Sequence, residues 1–182
     1  EANLDGCDLS GASLQGAQLS EASLDGSKLT DCSFKAATLD GASLMEVRAE
    51  RVSFDYASLH QTDFDGSEMS DASFHKAKLQ EADLSNCRLD DANFIGAVLE
   101  NTWFHATSAA RARFTECKMK GFRASDGCDL REAQLSLINA PASQWEESDL
   151  KGADLSGADL SGADFSKSIL GQSNLFRAEL AQ

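Results

Sequence analysis

Ser148–Phe165 reads SDLKGADLSGADLSGADF, and its reading decides the fold. Aspartate recurs every fifth residue, at Asp149, Asp154, Asp159 and Asp164, each immediately before a leucine or phenylalanine. Such a run is a cation loop, an acidic linker or one turn of a repeat. A period of five matches neither the 3.6 of a helix nor the 2 of a strand. It fits a chain that turns a corner every five residues, with two side chains per unit facing inward. A calcium loop gathers its ligands within one short turn, whereas these four carboxylates would point outward on four successive faces.

The same phase runs along the whole chain. Leu4, Leu9, Leu14, Leu19, Leu24, Leu29, Phe34, Leu39 and Leu44 open a series that continues to Leu180. It slips once, where Leu130 follows six residues after Ala124. Thirty-six pentapeptides result, with a weak centre only at Ala49, Ala109, Ala124 and Ala140. Two residues before each centre the side chain is small, as in Ala2, Cys7, Ala12, Ala17 and Ala22, with exceptions at Val47, Val52, Phe122 and Ile138. The large residue fills the axis, and the small one sits where the wall leaves little room.

The units ANLDG, CDLSG, ASLQG and the repeated ADLSG resemble the pentapeptide repeat family over essentially the whole chain. The resemblance implies an all-β, right-handed quadrilateral β-helix in which four pentapeptides make one coil. The residues support four per coil independently: Phe34, Phe54, Phe74, Phe94 and Phe114 fall twenty apart, so stacked coils would align their rings as a ladder. Nine coils follow, a rod roughly 43 Å long at the usual strand spacing. Stability is then a sum of nearest-neighbour terms.

The 182 residues read as a single solenoid domain, 1–182, with irregularities near 45–51, 105–113, 121–128 and 137–144. The chain opens on Glu1 and the repeat on Ala2, so it reads as a domain cut from a longer protein. No apolar run approaches the roughly 18–20 residues that span a bilayer. The formal net charge of −14 disfavours direct contact with nucleic acid or anionic lipid.

All five cysteines, Cys7, Cys32, Cys87, Cys117 and Cys128, take the small inward position. Buried there they act as small hydrophobes, which fits a reducing cytoplasm. His60, His75 and His105 fall on three different faces and do not converge. No phosphate loop, nucleophile elbow or zinc-helix motif occurs. A rod with a filled axis offers no pocket, so neither an enzyme nor a cofactor is expected.

Sorting the outward residues by position modulo twenty concentrates the charge. The wall containing Leu4, Leu24 and Leu44, here the first wall, carries ten acids, among them Asp5, Asp25, Glu46, Asp63, Asp65 and Asp83, against Arg123 and Lys167. Its net charge is −8, and the second, third and fourth walls come to −3, +1 and −3. Some members of the resembled family protect DNA gyrase, apparently as acidic mimics of duplex DNA. Duplex of the same length carries about 25 charges, so −8 falls well short. Those members also tend to carry a C-terminal dimerisation helix or projecting loops, and this chain shows neither, ending in register at Leu180.

Large outward apolar residues are scarce. Ile95, Val98 and Trp103 lie within nine residues. Trp103 should stack above Asp83 and Asp63, with Arg123 one coil beyond and placed for a cation–π contact. These residues and the acidic wall are the candidate contact surface. The expected role is a non-enzymatic scaffold or interaction module of a larger bacterial protein, such as a secretion-system effector or adaptor. Its partner would be another protein with a basic or mixed surface, with end-to-end self-association through uncapped coil ends. The alternatives are a gyrase-protecting DNA mimic and a purely structural rod.

Overall fold

The computed structural model describes residues 2–181, and no helix occurs among them. Parallel pairings link the second residue of each unit to the one twenty further on, or twenty-one across the slip. One column runs Asn3, Ser23, Ser43, Asp63, Asp83, Trp103, Arg123, Gln144 and Asp164. Three further columns of nine start at Asp8, Ser13 and Gln18. The chain is therefore a four-walled β-helix of nine coils. Most pairings are single bridges; only β1 (Trp103–His105) and β2 (Arg123–Ser125) extend to three residues.

The five positions of each unit divide the hydrogen-bonding work. In the unit Ala2–Gly6, the third-position amide of Leu4 donates to Ser23 O at 2.7 Å, and the fifth-position amide of Gly6 to Asp25 O at 2.8 Å. Ser23 N–H, at a second position, donates back to Ala2 O at 2.9 Å. The next first-position amide, Cys7, closes the corner on Leu4 O at 3.2 Å. This is a β-turn whose third residue needs a positive φ. Glycine takes that position without strain, as at Gly6 (φ 64°), yet Tyr56 holds it at φ 59° and Glu46 at φ 55°. The stack holds such residues against a cost of about 1–2 kcal/mol each.

Outside the β1–β2 pair, the ladder leaves the fourth-position amide unused. Where the second residue is Asp or Asn, its side chain accepts that amide two residues on. Asp149, Asp154, Asp159 and Asp164 accept from Lys151, Ser156, Ser161 and Ser166 at 2.8–3.1 Å. These aspartates of Ser148–Phe165 are turn caps. Pro141 occupies a fourth position, where no amide is required, and the coil continues through Gly121 N–H to Pro141 O at 3.1 Å.

The axis is filled by buried side chains. Phe34, Phe54, Phe74, Phe94 and Phe114 stack with centroids 4.7–5.2 Å apart. All five rings are fully buried. Where a centre shrinks to alanine, the neighbouring small position grows: Val47 beside Ala49, Phe122 beside Ala124, Ile138 beside Ala140. The exchange conserves volume, which cores tolerate best. Three of the four segments expected to be irregular keep their register. Only 121–128 departs from it, where Ser108 pairs with Asp129, twenty-one residues away. At the two ends of the described stack, Leu4, Leu9, Phe165 and Leu175 are only half-buried.

Candidate functional site

The first wall carries the acids on a rigid grid. Asp63 and Asp83 are paired neighbours in one column. Each caps its own turn, Asp63 Oδ1 accepting Asp65 N–H and Asp83 Oδ1 accepting Ser85 N–H, both at 2.9 Å. Burial pushes the Asp63 carboxyl above its ordinary value. The Asp65 amide opposes that rise, and the like charges of Asp83, Asp65 and Asp25 add to it. Like charges directly opposite one another across a ladder are destabilising, so this strip carries a strain that the fold does not need.

Two of the predicted contact acids serve the ladder instead. Asp25 Oδ1 accepts Ser43 Oγ at 2.6 Å and Met45 N–H at 2.9 Å, one coil on. Asp5 makes the same pair of contacts with Ser23 and Asp25. This is the second solution for the fourth-position amide: a serine replaces the capping Asp, and the acid comes from the coil before. Asp40, Asp55 and Asp90 repeat it on other walls. Asp65 accepts Asn86 Nδ2 at 2.7 Å. Glu46 stands on a corner over Gly66, its Cγ within 3.5 Å of where a glycine Cβ would be.

Trp103 lies as predicted between Asp83 and Arg123 in the column. It is 40% exposed, and the Arg123 guanidinium sits 5.1 Å from its ring centre. Gln61, Glu81 and Asn101, on the adjoining corner, complete an open groove of about 450 Å3 with Asp83, Trp103 and Arg123. On the other side, His105 meets the indole edge at 5.5 Å.

Ile95 and Val98 do not join this group. They occupy the third and fourth walls, so the three apolar residues lie on successive faces, and both are only partly exposed. The eight-residue step from Ile95 to Trp103 spans two corners here, and that separates side chains. Besides Leu180, the central residue of the last unit, four more exposed apolar side chains lie outside the predicted set: Tyr56, Leu137, Ile169 and Phe176. Each stands at a second, fourth or fifth position of its unit, an outward slot, so the signal was present. Tyr56, Leu137 and Phe176 share the third wall and its far corner. Lys35 Nζ lies 5.9 Å from the Tyr56 ring, and Arg177 5.0 Å from that of Phe176.

His105, Ser125 and Asp126 also cluster on the first wall. His105 Nδ1 hydrogen-bonds Ser125 Oγ and lies 3.6 Å from Asp126 Oδ2. Serine and aspartate address the same ring nitrogen, whereas a proton relay needs one on each. His60 and His75 stand on other walls. Among the described residues no group of three or more His, Cys, Asp or Glu is placed to hold a metal ion. Burial pushes the Cys87 and Cys117 thiols up to about 12 and raises that of Cys128. All five cysteines are free, and high thiol pKa values leave the buried ones inert.

Comparison with known proteins agrees with this architecture. No curated protein matches the chain. Among solved structures it resembles HetL, a pentapeptide repeat protein involved in heterocyst differentiation regulation in the cyanobacterium Nostoc sp. strain PCC 7120. The TM-score is 0.53 at 25% identity, over 97% of this chain and 88% of that one. It also resembles trypsin-treated QnrB1, a plasmid-mediated fluoroquinolone resistance protein. There the TM-score is 0.56 at 19% identity, over 100% and 86% of the two chains, a likeness of fold alone. The family model for a pentapeptide repeat region matches residues 27–94, and that for pentapeptide repeats matches 1–31, 82–121, 128–172 and 146–180. Residues 122–127, around the extra residue, fall between these matches. The chain belongs to the pentapeptide repeat family.

Proposed function

We propose that this chain is a non-enzymatic protein-binding module, and that it meets its partner through the first wall around Trp103. One observation carries the reading: an indole 40% exposed lies beneath a guanidinium at 5.1 Å, on a wall otherwise dominated by carboxylates. A rigid aromatic anchor ringed by charge is how contact energy concentrates in protein interfaces. The acidic surround selects a partner with a basic or mixed surface and steers its approach. The five free cysteines support a reducing compartment. As part of a larger bacterial protein, such as an effector or adaptor, the rod would present this wall at a fixed distance from its neighbours.

The test uses the chain's two tryptophans. Trp145 is buried, its Nε1 donating to Ser143 Oγ at 2.7 Å. In a Trp145→Phe variant, emission reports on Trp103 alone. A photo-crosslinking residue at position 101 should trap partner protein from host extract, while one at position 156, on the opposite wall, should not. The trapped protein, once purified, should shift Trp103 emission, and Trp103→Ala should weaken binding at least tenfold, about 1.4 kcal/mol or more. Equal trapping from both positions would remove the first wall as the contact surface.

A second reading, protection of a topoisomerase by DNA mimicry, draws support from the net −8 of this wall. It predicts relief of quinolone inhibition in a gyrase supercoiling assay, abolished by Asp63→Lys with Asp83→Lys. No effect at micromolar protein removes it.

A further inference from the structure

We infer that Asp126 is a site of spontaneous aspartate-to-isoaspartate isomerisation, made reactive by the extra residue in its coil. The chain has five Asp-Gly pairs: Asp5-Gly6, Asp25-Gly26, Asp40-Gly41, Asp65-Gly66 and Asp126-Gly127. All five are followed by a small residue, so local sequence barely distinguishes them. The fold does.

In four pairs the glycine amide is a rung of the ladder. Gly6, Gly26, Gly41 and Gly66 donate to Asp25, Met45, His60 and Ser85 carbonyls at 2.8–3.0 Å. The carboxylates of the first three are also held by the next coil, and that of Asp65 by Asn86. At 126–127 the unit has one residue too many. Asp126 (φ 55°) and Gly127 (φ 79°) both adopt the left-handed region in succession. Gly127 N–H has no protein acceptor among the described residues, and neither has Asp126 N–H. The Asp126 side chain is 73% exposed, touched by Ser125 Oγ at 3.2 Å and faced by His105 Nδ1 at 3.6 Å. A Cβ on Gly127 would meet nothing within 4 Å, as at Gly6 and Gly26, so it is the missing amide acceptor that sets this pair apart.

The chemistry follows from that freedom. The Gly127 nitrogen loses its proton and attacks Cγ of the Asp126 carboxylic acid, forming an N–C bond while the C–OH bond breaks and the hydroxyl leaves with that proton as water. The resulting cyclic imide is opened by water at either carbonyl. One opening restores aspartate; the other routes the chain through the side-chain carbonyl and frees the α-carboxylate. Mass and redox state are unchanged. A ladder hydrogen bond opposes both the deprotonation and the backbone rotation this attack requires, and Gly127 alone of the five glycines escapes it. The inference does not depend on the proposed function, although the product would lengthen the backbone by one carbon beside His105 and Arg123.

The experiment incubates the purified chain at pH 7.4 and 37 °C. Isoaspartate is then read by enzymatic carboxyl methylation and by peptide mapping at all five aspartates. Position 126 should accumulate roughly tenfold more than the mean of the other four, the protection expected from one or two held rungs. In denaturant the five rates should converge. Asp126→Glu should abolish the fast site while leaving the others unchanged. No excess at 126 in the folded chain, or an excess that persists in denaturant, overturns the inference.

Discussion

The first and third walls face away from each other across one axis and are built from the same repeat, yet they differ inside and out. Inside the third wall five phenyl rings stack at 4.7–5.2 Å. Inside the first, size alternates through Leu84, Phe104, Ala124, Trp145 and Phe165, with Trp145 parallel to Phe165 at 5.8 Å and tilted on Phe122 at 5.0 Å. Outside, the third wall is close to neutral and shows Tyr56, Leu137 and Phe176, while the first is strongly acidic. The extra residue follows Ala124, on the wall whose interior is already uneven. A column of identical rings locks register; a column of unequal ones tolerates a departure from it.

The contrast is broken most severely from within. Phe74→Ala removes a ring that touches Phe54, Phe64 and Phe94. It should cost about 3–5 kcal/mol in a denaturant titration, and a loss below about 1 kcal/mol would show that the ring stack does not stiffen the third wall. Ala124→Leu probes the uneven wall. Phe122 and Trp145 already fill that space, so overpacking should destabilise by about 1–3 kcal/mol; a stabilised variant would mean that the first wall holds a void.

Smaller effects separate the acids of the first wall from one another. Asp25→Ala leaves Met45 N–H and Ser43 Oγ without their acceptor and should cost about 1 kcal/mol, most of it recovered in Asp25→Asn. Asp63→Asn is expected to do the reverse. The amide oxygen can still cap Asp65 N–H, while the repelled charge is gone, so melting at neutral pH should rise by about 1–2 °C. The sign follows from the raised folded pKa. Between the ordinary 3.8 and that higher value the folded state binds the proton more readily, so wild-type stability falls as pH rises through this window. The advantage of Asp63→Asn should therefore vanish on acidification. An advantage that grows toward low pH would contradict the assignment.

Much of this was legible in the residues alone. The period of five, the column of Phe34 to Phe114, the single slip after Ala124 and the Trp103–Arg123 pair all follow from spacing, because in a solenoid sequence arithmetic is spatial arithmetic. Commitment was harder to read. Whether a fourth-position carboxylate is committed to the ladder depends on what stands eighteen and twenty residues further on: Ser43 and Met45 occupy Asp25, whereas Asp83, not a serine, stands eighteen beyond Asp65, which accepts from Asn86 instead. Exposure was harder still. Ile95 and Trp103 are both outward, yet the breadth of neighbouring side chains half-covers one and leaves a groove beside the other.

Pro141 shows what a fourth-position amide held outside the main-chain ladder makes available. A pyrrolidine ring there disturbs no rung, so a corner whose fourth position is not tied to an acid of the coil before has one place where chemistry can be exchanged without consulting the coils above and below. Selection can therefore rewrite the exterior of such a rod residue by residue while its length and straightness stay as they were. Two members with unrelated outer surfaces can share one scaffold, and recognition in this architecture can diverge faster than shape.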